Sequence, residues 1–240
     1  YTTRADSIAR RSAQTALYHI AEAMCRWMAP ILSFTAEEIW SCLPGEHGDT
    51  VLTGNWYDKL FALDDGESMN MEFWQRVLEA RSAISNQLEG LRKDKSIGSS
   101  LDAEVALYCN GELQASLQTL EDELRFVFIT SEASVHHIDD APQDSIEAEA
   151  GNAPVRIIAS ASPHTKCVRC WHHRADVGQF ADHPGLCGRC VENVAGDGER
   201  RRHEQQRRHG EHARPRRQVG GAQRPGHGVE HDEGAESRAQ

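Results

Sequence analysis

The sequence predicts a mainly α-helical protein: a helical bundle, then a small α+β element, a four-cysteine zinc finger and a disordered tail. Three observations support this fold class. Apolar residues recur at spacings of three and four over the first hundred positions, four of the seven cysteines form two CxxC pairs, and residues 200–240 contain no Phe, Trp or Tyr. We therefore expect domains over residues 1–95, 96–160, 161–199 and 200–240.

Composition limits the class of protein further. The chain has 240 residues, 39% of them hydrophobic, and no apolar run long enough for a transmembrane helix or a secretory signal. Clustered rather than dispersed cysteines favour a reducing compartment, so we expect a cytoplasmic protein that does not bind membranes. The chain starts at Tyr1 without an initiator Met and inside a helical pattern, which predicts a fragment of a longer protein.

Charge is unevenly distributed along the chain. The net charge is −11, and residues 1–166 hold 13 basic and 26 acidic side chains. A general basic field that would attract any polyanion is therefore missing. Nucleic-acid binding, if it occurs, has to use a local basic patch.

The first helix is predicted over residues 4–29, because Pro30 cannot continue it. Its apolar stripe consists of Leu17, Ile20, Met24, Trp27 and Ile31. On the opposite face lie Arg4, Arg11 and Arg26, which either follow a phosphate backbone or form a solvated helix face. Trp27 and Trp40 are predicted to be core residues.

Two further helices are predicted in the bundle. Thr35 and Glu38 suggest a capping box for a helix over residues 36–43, and a short strand is expected at residues 51–52. The next helix covers residues 70–92, with Phe73, Val77, Ala80, Ile84, Leu88 and Leu91 on its apolar stripe. A second basic cluster of Arg92, Lys93 and Lys95 follows, which can contact phosphate or complement the helix dipole.

The pattern changes after residue 100. We predict strands at residues 104–109, 126–129, 134–138 and 155–159, and a helix over residues 112–125. The acidic segment 139–151 is predicted to be a mobile loop. These elements form the small α+β part.

The two CxxC pairs predict a structural zinc site. Cys167 and Cys170 are separated from Cys187 and Cys190 by sixteen residues, a spacing typical of four-thiolate zinc sites. Gly188 suits the tight turn of the second pair. Four thiolates fill a tetrahedral zinc shell, so the metal should hold structure and not activate water.

Three side chains beside the cysteines are candidate nucleic-acid contacts. Arg169 and Arg189 occupy matching positions in the two pairs, and Trp171 follows the second thiolate. The arginines can bind phosphate and the indole can stack on a base. Alternatively, Trp171 covers the metal site and the arginines are solvated or donate to the thiolates.

Several segments resemble one known family. Residues 29–40 resemble the anticodon-binding helical domain of the class I synthetases for branched aliphatic amino acids. Residues 166–171 and 187–200 resemble the C-terminal zinc finger of bacterial isoleucyl-tRNA synthetases, and residues 1–7 and 122–127 are similar to the same family. The resemblance covers about residues 1–202.

The resemblance implies the C-terminal tRNA-binding part of an isoleucine–tRNA ligase. Such an enzyme joins isoleucine to its tRNA with ATP, is expected to act as a monomer, and binds ATP in a catalytic domain that carries HIGH-type and KMSKS-type motifs. Neither motif occurs in these 240 residues, so this chain should bind the anticodon stem-loop of isoleucine tRNA and catalyse nothing alone. The candidate tRNA contacts are Arg4, Arg11, Arg26, Arg169, Trp171 and Arg189.

Two other functions fit the zinc finger. One is a DNA-binding module of the formamidopyrimidine-DNA glycosylase type, whose finger has the same two-CxxC plan. The other is a zinc-stabilised interaction domain without nucleic acid, which the acidic net charge favours. Residues 203–240 extend past the usual end of the family, and their Arg/Gly/His bias predicts a frameshift or misplaced stop after about Arg202.

Overall fold

A computed structural model describes residues 2–60, 62–63 and 66–199. The predictions of disorder and of a frameshift for the tail lie outside these residues. Within them the α-helices are α1 (Ile8–Met28), α2 (Ser33–Cys42), α3 (Met71–Lys93), α4 (Gly111–Leu120), α5 (Leu124–Phe128) and α6 (Gly188–Ala195). The strands are β1 (Ala103–Cys109), β2 (Glu132–His137), β3 (Ile146–Ala150), β4 (Ala153–Ala161), β5 (Thr165–Lys166) and β6 (His173–Arg174).

The first two helices are joined by a short turn and pack against each other. α1 begins at an N-cap Ser7, whose hydroxyl accepts from the Arg10 N–H, and it ends before Pro30 as predicted. α2 begins three residues earlier than predicted, at Ser33, so the capping box at Thr35 is wrong. The Ala36 N–H already donates to the Leu32 carbonyl at 2.8 Å, which places Thr35 inside the helix.

A small core joins this pair. It contains Cys25, Ala29, Ala36, Trp40 and Val51. The predicted strand at residues 51–52 is wrong, because Val51–Thr53 is a 3₁₀ turn. The Glu37 carboxylate accepts from the Val51 N–H at 3.1 Å and from the Thr50 hydroxyl at 2.8 Å, which satisfies both donors at the start of the turn.

The predicted apolar stripe of α1 is exposed. The exposed fractions are 64% for Leu17, 48% for Ile20, 45% for Met24, 47% for Trp27 and 83% for Ile31. The prediction that Trp27 is a core residue is therefore wrong, whereas Trp40 is 3% exposed and confirms its prediction. The buried residues of α1 are Glu22, Ala23 and Cys25, and Cys25 packs in one core with α2 and the 3₁₀ turn.

α3 packs on a four-stranded sheet. Asn70 caps the helix by accepting from the Phe73 N–H at 3.0 Å. The stripe predicted for this helix is confirmed by the burial of Phe73, Val77, Ala80, Ile84 and Leu88 in one core with the sheet. The prediction of a helical bundle therefore holds only in part, because the apolar face of α3 packs on strands. The domain boundary at residue 95 stays a prediction.

The sheet has the strand order β2-β1-β4-β3. β1 is parallel to β2 through the α4–α5 crossover and antiparallel to β4. The prediction of a mobile acidic loop at residues 139–151 is wrong, because β3 pairs with β4 there and Ala150 is buried. The turn at Gly151, with φ of +61°, allows the tight hairpin.

The crossover corrects two other predictions. The helix expected over residues 112–125 is interrupted by a 3₁₀ turn at Glu121–Glu123. The strand expected at residues 126–129 is wrong, because Leu124 and Phe128 are four residues apart on α5 and both are 2% exposed. Among the described helices, none has the length and apolar character required to cross a lipid bilayer.

Candidate zinc centre and nucleic-acid surface

Four buried cysteines meet at one point. Cys167 and Cys170 lie in the turn between β5 and β6, and Cys187 and Cys190 lie at the start of α6. Their sulfur atoms are all within 4.8 Å of one another, and the Cys170 and Cys187 Sγ atoms are 3.7 Å apart. Tetrahedral zinc with Zn–S bonds of about 2.3 Å would separate sulfur atoms by about 3.8 Å.

Backbone hydrogen bonds fix the first CxxC turn. The Trp171 N–H donates to the Cys167 carbonyl at 2.9 Å, and the Cys167 N–H donates to the His172 carbonyl at 2.9 Å. The β5–β6 pairing of Lys166 with His173 closes the loop behind them. The two thiols are therefore presented to the same side by the backbone.

The second CxxC turn brings the Gly188 backbone close to the side chains of Asp176 and Phe180. Its N–H donates to the Asp176 carboxylate at 2.8 Å. A Cβ atom there would lie 2.8 Å from the same carboxylate oxygen and 3.2 Å from the Phe180 ring. The glycine is thus required for space, and Asp176 anchors the start of α6.

The thiols share protons within the cluster. Hydrogen bonds from the Cys170 and Cys187 thiols lower the pKa of Cys190 to about 3. Hydrogen bonds to the Cys187 and Cys190 sulfur atoms raise the pKa of Cys170, since its proton is held between sulfur atoms. Zinc binds thiolates and replaces such protons, so the donor set suits this metal. The residues that would hold it are Cys167, Cys170, Cys187 and Cys190.

His172 is not placed as a zinc ligand. Its Nδ1 donates to the Cys170 carbonyl at 3.2 Å, and its side chain packs edge-on against the Phe126 ring. Burial lowers its pKa, so the ring is neutral near pH 7. Its role is to support the knuckle from the side of α5.

The two arginines of the CxxC pairs bind within the chain. The Arg169 guanidinium donates to the Thr2 carbonyl and lies 3.7 Å from the Cys190 sulfur. Arg189 forms a two-pronged ion pair with Glu199 and donates to the Thr2 hydroxyl at 3.1 Å. The interpretation that arginine donates to a thiolate is thus supported for Arg169.

The predicted face of Arg4, Arg11 and Arg26 is divided in the structure. Arg4 donates to the Gly196 carbonyl at 2.8 Å beside the zinc finger. The Arg26 side chain is only 18% exposed, because it pairs with Glu22 and lies 4.6 Å above the Trp40 ring. Of the three arginines, Arg11 is exposed, whereas Arg4 and Arg26 are half-buried.

Trp171 lies on the surface. Its side chain is 57% exposed, so the interpretation that it covers the metal site is wrong. Its φ is +67°, in the left-handed region that non-glycine residues rarely adopt. The turn therefore holds an indole ring outward at a conformational cost.

Sequence reasoning missed the residues that attach the finger to the rest of the chain. The Phe126 ring contacts the Arg125 and Arg189 guanidiniums, whose carbon atoms lie 4.9 and 4.8 Å from the ring centre. Asn193 is 6% exposed and bonds to Arg4. No local signal indicates the Phe126–Arg189 and Arg4–Asn193 contacts, because each joins segments far apart in sequence.

Two families match the chain. Residues 1–107 match the anticodon-binding domain of tRNA ligase, and residues 166–193 match the zinc finger found in FPG and IleRS. Together with the four-thiol centre, these matches define the chain as the anticodon-binding and zinc-finger part of a tRNA ligase, with one structural zinc.

Three curated relatives specify the family. The isoleucine–tRNA ligase of Alkalilimnicola ehrlichii is 58% identical over 202 residues, covering 84% of this chain and 22% of the relative. The isoleucine–tRNA ligase of Thioalkalivibrio sulfidiphilus is 58% identical over 204 residues, covering 84% of this chain and 22% of the relative. That of Halorhodospira halophila is 58% identical over 202 residues, covering 84% of this chain and 21% of the relative. The chain belongs to the isoleucine–tRNA ligase family and corresponds to a C-terminal segment of it. It spans about a fifth of the length of these relatives.

Proposed function

We propose that this chain is the tRNA-binding portion of an isoleucine–tRNA ligase, and that it holds the anticodon stem-loop of isoleucine tRNA. The observation that carries the proposal is that an anticodon-binding domain and this type of zinc finger occur in one chain. The whole enzyme would attach isoleucine to its tRNA with ATP, act as a monomer and work in the cytoplasm.

The chemistry of charging belongs to other parts of such an enzyme. The chain has neither a HIGH-type nor a KMSKS-type motif, so we expect it to bind no ATP and to form no aminoacyl bond. Its contribution is geometric. A firm grip on the anticodon arm would position the distant acceptor end and so raise the charging rate of the correct tRNA.

Zinc would act as a structural clamp. When bound by the four thiolates it has no open coordination position, and it stabilises a segment that has almost no apolar core of its own. Side chains of the protein, and not the metal, then contact the tRNA. The knuckle turn holds the Trp171 ring outward, where it can stack on an unpaired base of the anticodon loop.

The six predicted contact residues divide into three roles in this proposal. Arg11 and Trp171 are exposed and contact RNA directly. Arg26 and Arg189 are held in ion pairs, so they position neighbouring residues. Arg4 and Arg169 join the chain start to the finger and keep part of their charge at the surface.

The experiment that tests this function compares nucleic acids. The zinc-loaded chain is titrated with isoleucine tRNA and with duplex DNA of equal length over a range of salt concentrations. We expect tRNA to bind more tightly, with an affinity that falls steeply as salt rises. Preference for duplex DNA would favour the glycosylase-type module, and no binding to either would favour the interaction domain without nucleic acid.

A matched pair of tryptophan variants sharpens this test. Trp171→Gly suits the left-handed backbone and should leave zinc content and stability intact, while weakening tRNA binding by about 1–3 kcal/mol through loss of stacking. Trp56→Gly removes another exposed ring, 68% accessible, that is not in the finger. It should leave tRNA binding unchanged. Equal effects of the two variants would contradict a stacking role for Trp171.

A further inference from the structure

The end of α3 forms an open basic groove. Arg92, Lys93 and Lys95 line it together with Ser96 and Gly98, around a volume of about 540 Å³. This cluster is unusual in its surroundings, because residues 1–166 carry twice as many acidic as basic side chains. None of the contacts proposed above uses it.

The helix end does not need these lysines as caps. The Ser96 N–H donates to the Leu91 carbonyl at 2.9 Å, and the Lys95 N–H donates to the Arg92 carbonyl at 3.1 Å. These are the two backbone bonds of a Schellman motif, which satisfy the last carbonyls of α3. In the described part of the chain, neither the Lys93 nor the Lys95 ammonium donates a hydrogen bond.

Lys95 occupies a position that favours glycine. Its φ is +61°, the left-handed conformation that follows a helix in this motif. A side chain there costs conformational energy, so the lysine stands against the local backbone preference. The loop is also firmly anchored, since Ile97 is 6% exposed and packs in the main core. The ammonium group is therefore carried by a fixed backbone.

The charges around the groove leave two lysines without a counter-ion. Arg92 is neutralised by Glu89 at 2.6 Å, the acidic residue that lines the groove. Asp94 is exposed and is not part of the groove lining. Within the described ranges, no carboxylate forms an ion pair with Lys93 or Lys95. The groove thus offers two free ammonium groups and the Ser96 hydroxyl.

We propose that this groove binds backbone phosphates of the tRNA that the chain holds. The inference rests on the proposed tRNA-binding function and adds a second contact region, at the end of α3. Two ammonium groups and a hydroxyl suit phosphate oxygens and read no base, so the groove would fix the position of the tRNA arm without contributing to its sequence specificity.

The test measures how tRNA affinity depends on salt. The double variant Lys93→Gln/Lys95→Gln should reduce the slope of log K against log salt by about 1.5, since each phosphate contact contributes about 0.7–0.9. The control Lys59→Gln/Arg81→Gln removes the same charge from a loop and from a point on α3 about 18 Å before Lys93. It should leave the slope nearly unchanged.

A single variant separates binding from folding. Lys95→Gly should raise the thermal midpoint, because glycine suits the left-handed position, and should still reduce the salt slope by about 0.8. Lys95→Arg should keep the slope of the unmodified chain. A stabilised Lys95→Gly chain with an unchanged slope would overturn the groove proposal.

The failures of the two proposals are distinguishable. If the unmodified chain binds no tRNA, the proposed function fails and the groove proposal fails with it. If the unmodified chain binds tRNA but the Lys93/Lys95 double variant has the slope of its Lys59/Arg81 control, only the groove proposal is overturned.

Discussion

The backbone N–H of Arg4 donates to the side-chain oxygen of Asn193 at 2.9 Å, joining two residues 189 positions apart. Asn193 also donates from Nδ2 to the Arg189 carbonyl at 2.8 Å, and its side chain is buried. The segment that leads into α1 is therefore bound directly to α6 of the zinc finger. This contact joins the start of the helical part to the zinc finger, and the tRNA-binding proposal requires both.

Asn193→Ala should loosen this connection. It leaves the half-buried Arg4 N–H without its acceptor, so we expect a loss of about 1–3 kcal/mol in the free energy of unfolding. Denaturant unfolding measures the loss, and hydrogen exchange should show faster exchange at the Arg4 amide. The control Asn152→Ala changes an exposed asparagine in the β3–β4 turn and should stay within about 0.5 kcal/mol. Equal stability of the two variants would show that the connection contributes nothing.

Zinc removal should act locally. The core that joins α3 to the sheet contains none of the four ligand cysteines, so it should survive chelation. Residues 166–193 should lose hydrogen-exchange protection, because the metal is their main source of stability. Metal analysis should give one zinc per chain for Cys42→Ser, an exposed cysteine outside the cluster, and none for Cys187→Ser. Zinc retained by Cys187→Ser would contradict the ligand assignment.

Glu22 makes the α1–α2 pair sensitive to acid. Burial alone would raise its pKa, but hydrogen bonds from Tyr18 and Arg26 outweigh burial, and the pKa lies below its ordinary value. Because the folded pKa is the lower one, this stabilisation is full above the unfolded pKa of about 4.5. It is lost as pH falls through the folded pKa.

The Glu22→Gln variant tests this account. We expect a loss of about 2 kcal/mol at pH 7 and a smaller difference from the unmodified chain as pH drops below about 4. The measurement is denaturant unfolding at a series of pH values. Glu38→Gln, an exposed residue on α2, should match the unmodified chain throughout. A pH-independent difference for Glu22→Gln would refute the titration argument.

Substitutions on the two faces of α1 should change the free energy of unfolding by different amounts. Ile20→Gln changes an apolar residue that is 48% exposed, so the free energy of unfolding should change by less than about 0.5 kcal/mol. Ala23→Leu adds volume at a position that is 1% exposed and should cost about 1–3 kcal/mol. Thermal or denaturant unfolding ranks them. The reverse order would mean that the apolar stripe, and not the Ala23 face, is packed.

Sequence patterns within one segment predicted the four-cysteine cluster and the buried face of α3. The cysteine spacing indicated the zinc ligands, because two CxxC turns and one metal define a nearly self-contained unit. The α3 stripe indicated its core face, since the sheet packs on that side. The same logic failed for α1, because a periodic stripe shows which face is apolar and not whether another element covers it.

Long-range pairing explains the remaining differences. Arg189 was expected to contact a phosphate, but Glu199 and Phe126 hold it within the chain. Glu22, four residues before Arg26, could have indicated an ion pair, whereas the stacking of Arg26 on Trp40 depends on the turn at Pro30. Strand β3 was hidden in an acidic segment, because its apolar residues are mostly alanines and its pairing with β4 depends on the fold.

The most direct test of the central claim is a competition assay on the zinc-loaded chain. It compares isoleucine tRNA with the same tRNA carrying an altered anticodon, at one fixed salt concentration. The account predicts a clear preference for the native anticodon, and weaker binding of both tRNAs by the Trp171→Gly chain. Equal binding of both tRNAs by the unmodified chain would contradict the claim that this segment reads the anticodon.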